Sequence, residues 1–307
     1  MKKKESFGSR LKKDMIRNKW IYVMAIPVIL FYVIFCYVPM GGVIIAFKDY
    51  NVRLGILKSP WVGLQWFRDF FSSYSFMRIL RNTIMTSLLD IIFGFPAPII
   101  FALLLNELRS SKLKKFTQTM TYIPYFISLV VICGLMIQFL GSDGLITNIL
   151  TFFGAPKVNY LGDAKYFWTV YTISGIWQGF GWGSIIYIAA ISGIDQGLYE
   201  AALIDGANRW KRALHITMPS IMPTIIVMFI LRMGSILSVG SEKTLLLYTP
   251  TTYETADIIS TYIFRKGLID GNYAYSTAVN LLNSAICFLF LIITNQISKK
   301  VSETSLW

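Results

Sequence analysis

Six stretches of this 307-residue chain are long enough to cross a bilayer and almost free of charge. Residues 20–47, 116–142, 166–194 and 271–298 contain no Asp, Glu, Lys or Arg. Residues 82–106 and 213–241 contain one charge each, Asp90 and Arg232. A membrane-spanning helix needs about 20 predominantly apolar residues, so each stretch suffices for one. The expected fold class is an all-α membrane protein of six transmembrane helices. A chain that is 55% hydrophobic and 15% charged suits no ordinary soluble domain.

The stretch from Trp20 to Phe47 is too long for the apolar region of a cleaved signal peptide and lacks a small-residue cleavage site. It is read as the first permanent span, which puts both termini on one side. The tails and loops on that side carry 17 Lys+Arg against 7 acids, and the three opposite loops 11 against 8. The positive-inside rule places both tails in the cytoplasm. The net charge of +13 therefore orients spans and does not mark a nucleic-acid binder. In the basic tail, Phe7, Leu11 and Met15 recur every four residues among Lys and Arg. That spacing fits a short helix on anionic lipid or a plain solvated tail.

No linker or low-complexity segment divides the sequence. The expected organisation is a basic cytoplasmic segment (1–19), a six-helix transmembrane domain (20–298) and a cytoplasmic tail (299–307). Cys36, Cys133 and Cys287 all fall within apolar spans and suggest neither disulfides nor a metal site. The only histidine, His215, lies among basic residues, with no nucleophile–base pair or His/Cys/carboxylate cluster beside it. Catalysis has no foothold, and no internal repeat supports an inverted-repeat secondary transporter.

Between spans four and five lies EAALIDGANRWKRALHITMP, Glu200 to Pro219, within a loop spanning 195–219. Asp195 is a candidate N-cap. Leu198, Ala201 and Ala202 form one narrow apolar face. Gly206 supplies the left-handed conformation that ends a helix, and a second, basic helix starts near Asn208. Pro219 fits the first turn of span five, where its missing N–H costs nothing. Taken alone, these residues suit either a connector at the membrane interface or a docking element for another protein.

The spacing Glu-Ala-Ala, three residues, Gly, nine residues, Ile-x-Met-Pro resembles the signature loop of permease subunits of binding-protein-dependent ATP-driven importers, with Met218 where Leu is usual. The stretch ALIDGA (202–207) resembles the carbohydrate-uptake branch, and the likeness extends over six spans, the tail and GLITN at 144–148. The resemblance implies the type I importer permease fold. It implies a bacterial plasma-membrane protein that imports a sugar or oligosaccharide together with a second, homologous permease, two ATPase subunits and an extracytoplasmic sugar-binding protein. It further implies that Glu200, Ala201, Ala202, Asp205, Gly206, Arg209 and Pro219 dock and couple to the ATPase. No GxxxxGK[ST] loop is present, so ATP and Mg are expected on the partner subunits and no cofactor on this chain. The alternatives are an importer permease for another polar solute and a stand-alone secondary transporter.

A charge within a span is a functional hypothesis by default. Arg232 lies 13 residues after Pro219, about 20 Å along a helix. It can serve a polar cavity, pair with Asp90, or snorkel to the outer interface. Ser235 shares its face. Gln178 and Trp182 stand at i and i+4 in span four and would offer an amide and an aromatic plane to a sugar ring. By the resemblance, spans four and five line the substrate path, which makes Gln178, Trp182, Arg232 and Ser235 its candidates. The competing reading of Trp182 and Gln178 is helix packing, and Gly175, Gly179, Gly181 and Gly183 are read as close-packing positions.

Overall fold

Lipid offers backbone groups no hydrogen-bond partner, so an uncharged run must satisfy its own amides as helix. The computed structural model describes residues 13–238, 240–302 and 304–306, and Phe7 and Leu11 of the basic tail lie outside the described residues. The longer helices are, in chain order, α1 (Lys19–Phe47), α2 (Gln65–Phe71), α3 (Phe76–Asn106), α4 (Ser111–Phe126), α5 (Leu129–Leu140) and α6 (Leu145–Phe152). They continue as α7 (Ala164–Gly183), α8 (Ile185–Ser192), α9 (Gln196–Ile204), α10 (Arg209–Met233), α11 (Ser241–Leu247), α12 (Ile259–Phe264) and α13 (Tyr273–Ser302). Among the described residues there is no strand, and the one β-bridge joins Lys48 to Trp61.

Four helices, α1, α3, α10 and α13, are singly long and apolar enough to cross a membrane. The stretch 116–142 is not one rod, because α4 and α5 meet at 93°. Ile127 and Ser128 between them are extended, and Pro124 in the last turn of α4 removes a backbone donor. The stretch 166–194 is also divided, into α7 and α8. At their junction the fully buried Ser184 gives its hydroxyl to the Gly181 carbonyl at 2.6 Å. Helix α13 passes residue 298 without a break and ends at Ser302.

Packing around α7 sets the middle of the molecule. A side chain at Gly181 would collide with the Thr121 carbonyl of α4, and one at Gly183 would press on Pro98 of α3. Phe180 meets Phe101 edge-on at 4.9 Å. Below this lies a core of Ile99, Ala102, Tyr187, Ile191, Ile221 and Ile225, drawn from α3, α8 and α10. At the opposite end, the fully buried Asp257 accepts from the two terminal guanidinium nitrogens of Arg265 at 2.6 and 3.1 Å and approaches Arg78 at 3.5 Å. Its backbone carbonyl accepts from Asn82 at 3.1 Å. This ties the segment before α12 to the start of α3. Helix α1 stands apart: no side chain from Lys19 to Met40 is buried, and only its last turns pack against α13.

Candidate functional site

The 195–219 segment folds largely as its caps dictate. The Asp195 carboxylate accepts from the Gly197 amide at 3.0 Å and starts α9. At the far end Gly206 is left-handed, with φ 74°. The Ala207 amide bonds the Ala202 carbonyl at 2.8 Å and the Gly206 amide bonds Leu203 at 3.1 Å. This is the paired Schellman closure that satisfies the last carbonyls of a helix. The Asn208 side chain then accepts from Lys211 N–H at 2.9 Å to open α10.

The entry to α10 differs from expectation. Arg209 to Met233 is a single helical run, with no break before Pro219. A π turn over Ala213–Thr217 widens the backbone just ahead of Pro219, which lies inside the run and not in the first turn of a separate span. The two helices expected there are one.

The base of the segment is anchored and its tip is bare. Tyr199 and Thr217 share a hydroxyl hydrogen bond at 2.8 Å, and Tyr199 and Ile216 pack on the core beneath. Glu200, Ala201, Asp205, Gly206, Arg209 and Pro219 are exposed, and Ala202 is half-buried. Leu203, Ile204, Trp210 and Leu214 project uncovered, Ile204 with 88% of its surface accessible. His215 is exposed too, its ring nitrogen on the Lys211 carbonyl at 3.0 Å.

A second feature lies inside the bundle, a cavity of about 540 Å³ between α3, α7 and α10. Arg232 and Ser235 line it, and so does Asp90. Arg232 grips Asp90 bidentately, Nε to Oδ2 at 2.7 Å and Nη2 to Oδ1 at 2.5 Å. Of the roles open to Arg232, cavity lining and pairing thus occur together, and snorkelling does not. The geometry is prepared by α3. Asp90 opens a π turn running to Gly94, and a side chain at Gly94 would strike the Asp90 carboxylate.

Gln178 and Trp182 do not join this cavity. Trp182 turns toward α4, where it stacks on Tyr125 with centroids 4.9 Å apart and meets Phe126 edge-on. Gln178 is half-buried and lines none of the cavity. The cavity wall on α7 is instead the stripe Gly175, Gly179 and Gly183, with Tyr171 and Phe180 beside it. At Gly179 an added Cβ would meet nothing within 4 Å, so this glycine opens space and does not close a contact. Gly181, off the stripe, and Gly183, at its end against Pro98, are close-packing positions.

Lys243 is the cavity residue that sequence reasoning missed. Gly240, at φ 67°, turns the chain into α11, and a Cβ there would overlap the Tyr171 hydroxyl. That hydroxyl donates to the Gly240 carbonyl at 3.0 Å. The turn sends Lys243 inward, 7% exposed, with Nζ donating to Ser174 Oγ at 2.8 Å and to the Tyr171 carbonyl at 3.1 Å. Among the described residues it has no carboxylate at ion-pair distance. Burial lowers its pKa to about 8.

Comparison with known proteins agrees with the helical architecture. The family model described as binding-protein-dependent transport system inner membrane component matches residues 75–303. Protein LplB of Bacillus subtilis (strain 168) is 43% identical over 95% of this chain and 92% of its own length. The polygalacturonan/rhamnogalacturonan transport system permease protein YteP of the same organism is 42% identical over 99% and 95%. A chain of a bacterial ABC transporter involved in the import of the acidic polysaccharide alginate superposes with a TM-score of 0.88 at 42% identity, covering 95% of this chain and 99% of that one. A chain of the bacterial alginate ABC transporter in complex with alginate pentasaccharide-bound periplasmic protein gives 0.89 at 41%, covering 97% and 100%.

Proposed function

The chain belongs to the binding-protein-dependent transport system inner membrane components, and from that premise we propose how it works as a sugar or oligosaccharide importer subunit. It is a multi-pass membrane permease of the ABC type with the type I permease fold. Its six long apolar stretches act as six spans, the third bent between α4 and α5 and the fourth jointed at Ser184. Both termini face the cytoplasm, as the excess of Lys and Arg on their side favours. The solute is handed over by an extracytoplasmic binding protein, and the path is shared with a second, homologous permease.

The observation that carries the mechanism is the 195–219 segment, anchored at Tyr199 and Ile216 yet bare at Leu203, Ile204 and Trp210. Uncovered apolar side chains on a rigidly capped helix suit a docking partner. That partner is one of two ATPase subunits, which hold the ATP and Mg. Glu200 takes a cationic group there, Ala201 and Ala202 allow close approach, and Gly206 fixes the bend between Asp205 and Arg209. Because α10 is continuous from Arg209 to Met233, a push on Arg209 reaches Arg232 and the cavity through one helix. The cavity beside Arg232, Asp90 and Ser235 is the solute path on this side. Trp182 supports it from behind through its stack on Tyr125 of α4.

The test is to purify the tagged chain from native membranes in mild detergent and identify its companions. A second permease with an ATPase bears the reading out. A lone protein, stable and transporting without ATP, would make it a secondary transporter instead.

A further inference from the structure

Counting charges around the cavity gives an uneven result. Asp90 and Arg232 neutralise each other through two hydrogen bonds. Lys243 has no such counter-charge among the described residues, although 93% of its surface is removed from solvent. Two of its three N–H groups are held by Ser174 and the Tyr171 carbonyl, and its charge rests over the Tyr171 ring at 4.8 Å. Those are neutral acceptors that an uncharged donor could serve equally well. Taking an ammonium out of water for them alone is costly. Across from it, Gly175 offers no side chain, a Cβ there would lie 3.5 Å from Nζ, and both residues line the cavity.

We propose that Lys243 is a specificity residue of the solute path and that the oligosaccharide this chain passes carries carboxylates, as a uronic-acid sugar does. The inference rests on the importer reading above and names its substrate class. A uronate carboxylate reaching Nζ supplies the missing counter-charge while the sugar ring lies along the glycine stripe. The room at Gly175 and Gly179 lets the ring approach the helix backbone. A neutral sugar would leave the ammonium uncompensated throughout its passage. The chain similar to this one in the alginate importer belongs to a transporter of an acidic polysaccharide, which fits the same charge logic.

The experiment uses the intact assembly in detergent without its binding protein, so that only the membrane path is read. Saturation-transfer NMR measures the binding of oligogalacturonate, of oligomannuronate and of the methyl ester of each. The wild type should bind at least one free acid more tightly than its ester. Lys243→Gln should weaken that acid at least about tenfold, the worth of one charge-assisted hydrogen bond, and leave the ester unchanged. Lys243→Arg should keep most of the preference. Gly175→Asp sets an internal carboxylate near Nζ and should abolish it in a chain that retains Lys243, which covers the case of a Gln variant that fails to fold. Equal affinity of wild type and Lys243→Gln for the acid overturns the proposal, as does equal loss of acid and ester. Uptake with the binding protein separates the two readings. Import of neutral oligosaccharides alone refutes the acidic substrate and leaves the importer standing, and import of no saccharide refutes the importer reading itself.

Discussion

Two glycines two residues apart on α7 should respond oppositely to the same methyl group. At Gly181 an added Cβ would lie under 3.0 Å from the carbonyl oxygen and carbon of Thr121, and at Gly179 it would meet nothing within 4 Å. Gly181→Ala must therefore part α4 from α7, because a backbone carbonyl cannot rotate away as a flexible side chain can. Overpacking of this kind costs about 1–3 kcal/mol, and the rigid obstacle places it in the upper half. Any gain in helix propensity from Gly to Ala is common to both variants and cancels when they are compared. Gly181→Ala should thus be less stable than Gly179→Ala by about 2–3 kcal/mol. At about 2 °C or slightly more per kcal/mol for a chain of this size, the midpoints should differ by about 4–6 °C. Fluorescence-detected size exclusion after graded heating of the solubilised protein reads the difference directly. Equal midpoints, or a lower one for Gly179→Ala, would refute the placement of α4 against α7.

Gly179→Leu should leave the melting midpoint near wild type while cutting uptake at least about tenfold, since its side chain fills the cavity; unimpaired uptake would place the path elsewhere. For the ion pair, Asp90→Asn and Arg232→Gln should each cost about 1.5–3 kcal/mol, discounted from a fully buried pair because the Arg232 side chain is 40% exposed. The double variant should cost less than their sum, and strict additivity in that cycle would show the two charges to be uncoupled. Glu200→Lys should abolish uptake and release the ATPase on purification while membrane insertion persists, and normal uptake would sink the docking role. Trp182→Ala should lower the melting midpoint by loosening its stack on Tyr125; a weakened affinity for solute at unchanged stability would return Trp182 to the path.

The parts legible in the sequence were those set by neighbours along the chain. Asp195, Gly206 and Asn208 each act within five residues, so their capping could be read from spacing alone, and the Schellman closure follows from one glycine. The same locality fails at Pro219, because the π turn at Ala213–Thr217 has no signature in residue type. The cavity was harder, since it depends on which face of α7 turns inward. Gln178 and Trp182 share a face by their spacing, but Trp182 stacks on α4 and Gln178 lines none of the cavity. Glycines serve both close packing and open space, and only the neighbours tell Gly181 from Gly179. Lys243 was counted among the charges of an outer loop, and nothing nearby in sequence shows that Gly240 folds it inward.

The bond between Arg232 and Asp90 joins residues 142 positions apart, which has a consequence for biogenesis. During synthesis α3 enters the bilayer long before α10 has been translated. A charged residue at the centre of an inserting span costs about 2.5–3.5 kcal/mol on insertion scales, and for Asp90 that cost falls due with no partner in existence. Helix α3 must therefore be retained, by flanking charges and the insertion machinery, until Arg232 arrives. Once the pair closes, extracting either helix means pulling a lone charge back through lipid. The same two side chains that border the cavity in the finished protein thus act as a latch on its topology, and a nascent chain stalled before residue 232 should be the stage at which quality control can still remove it.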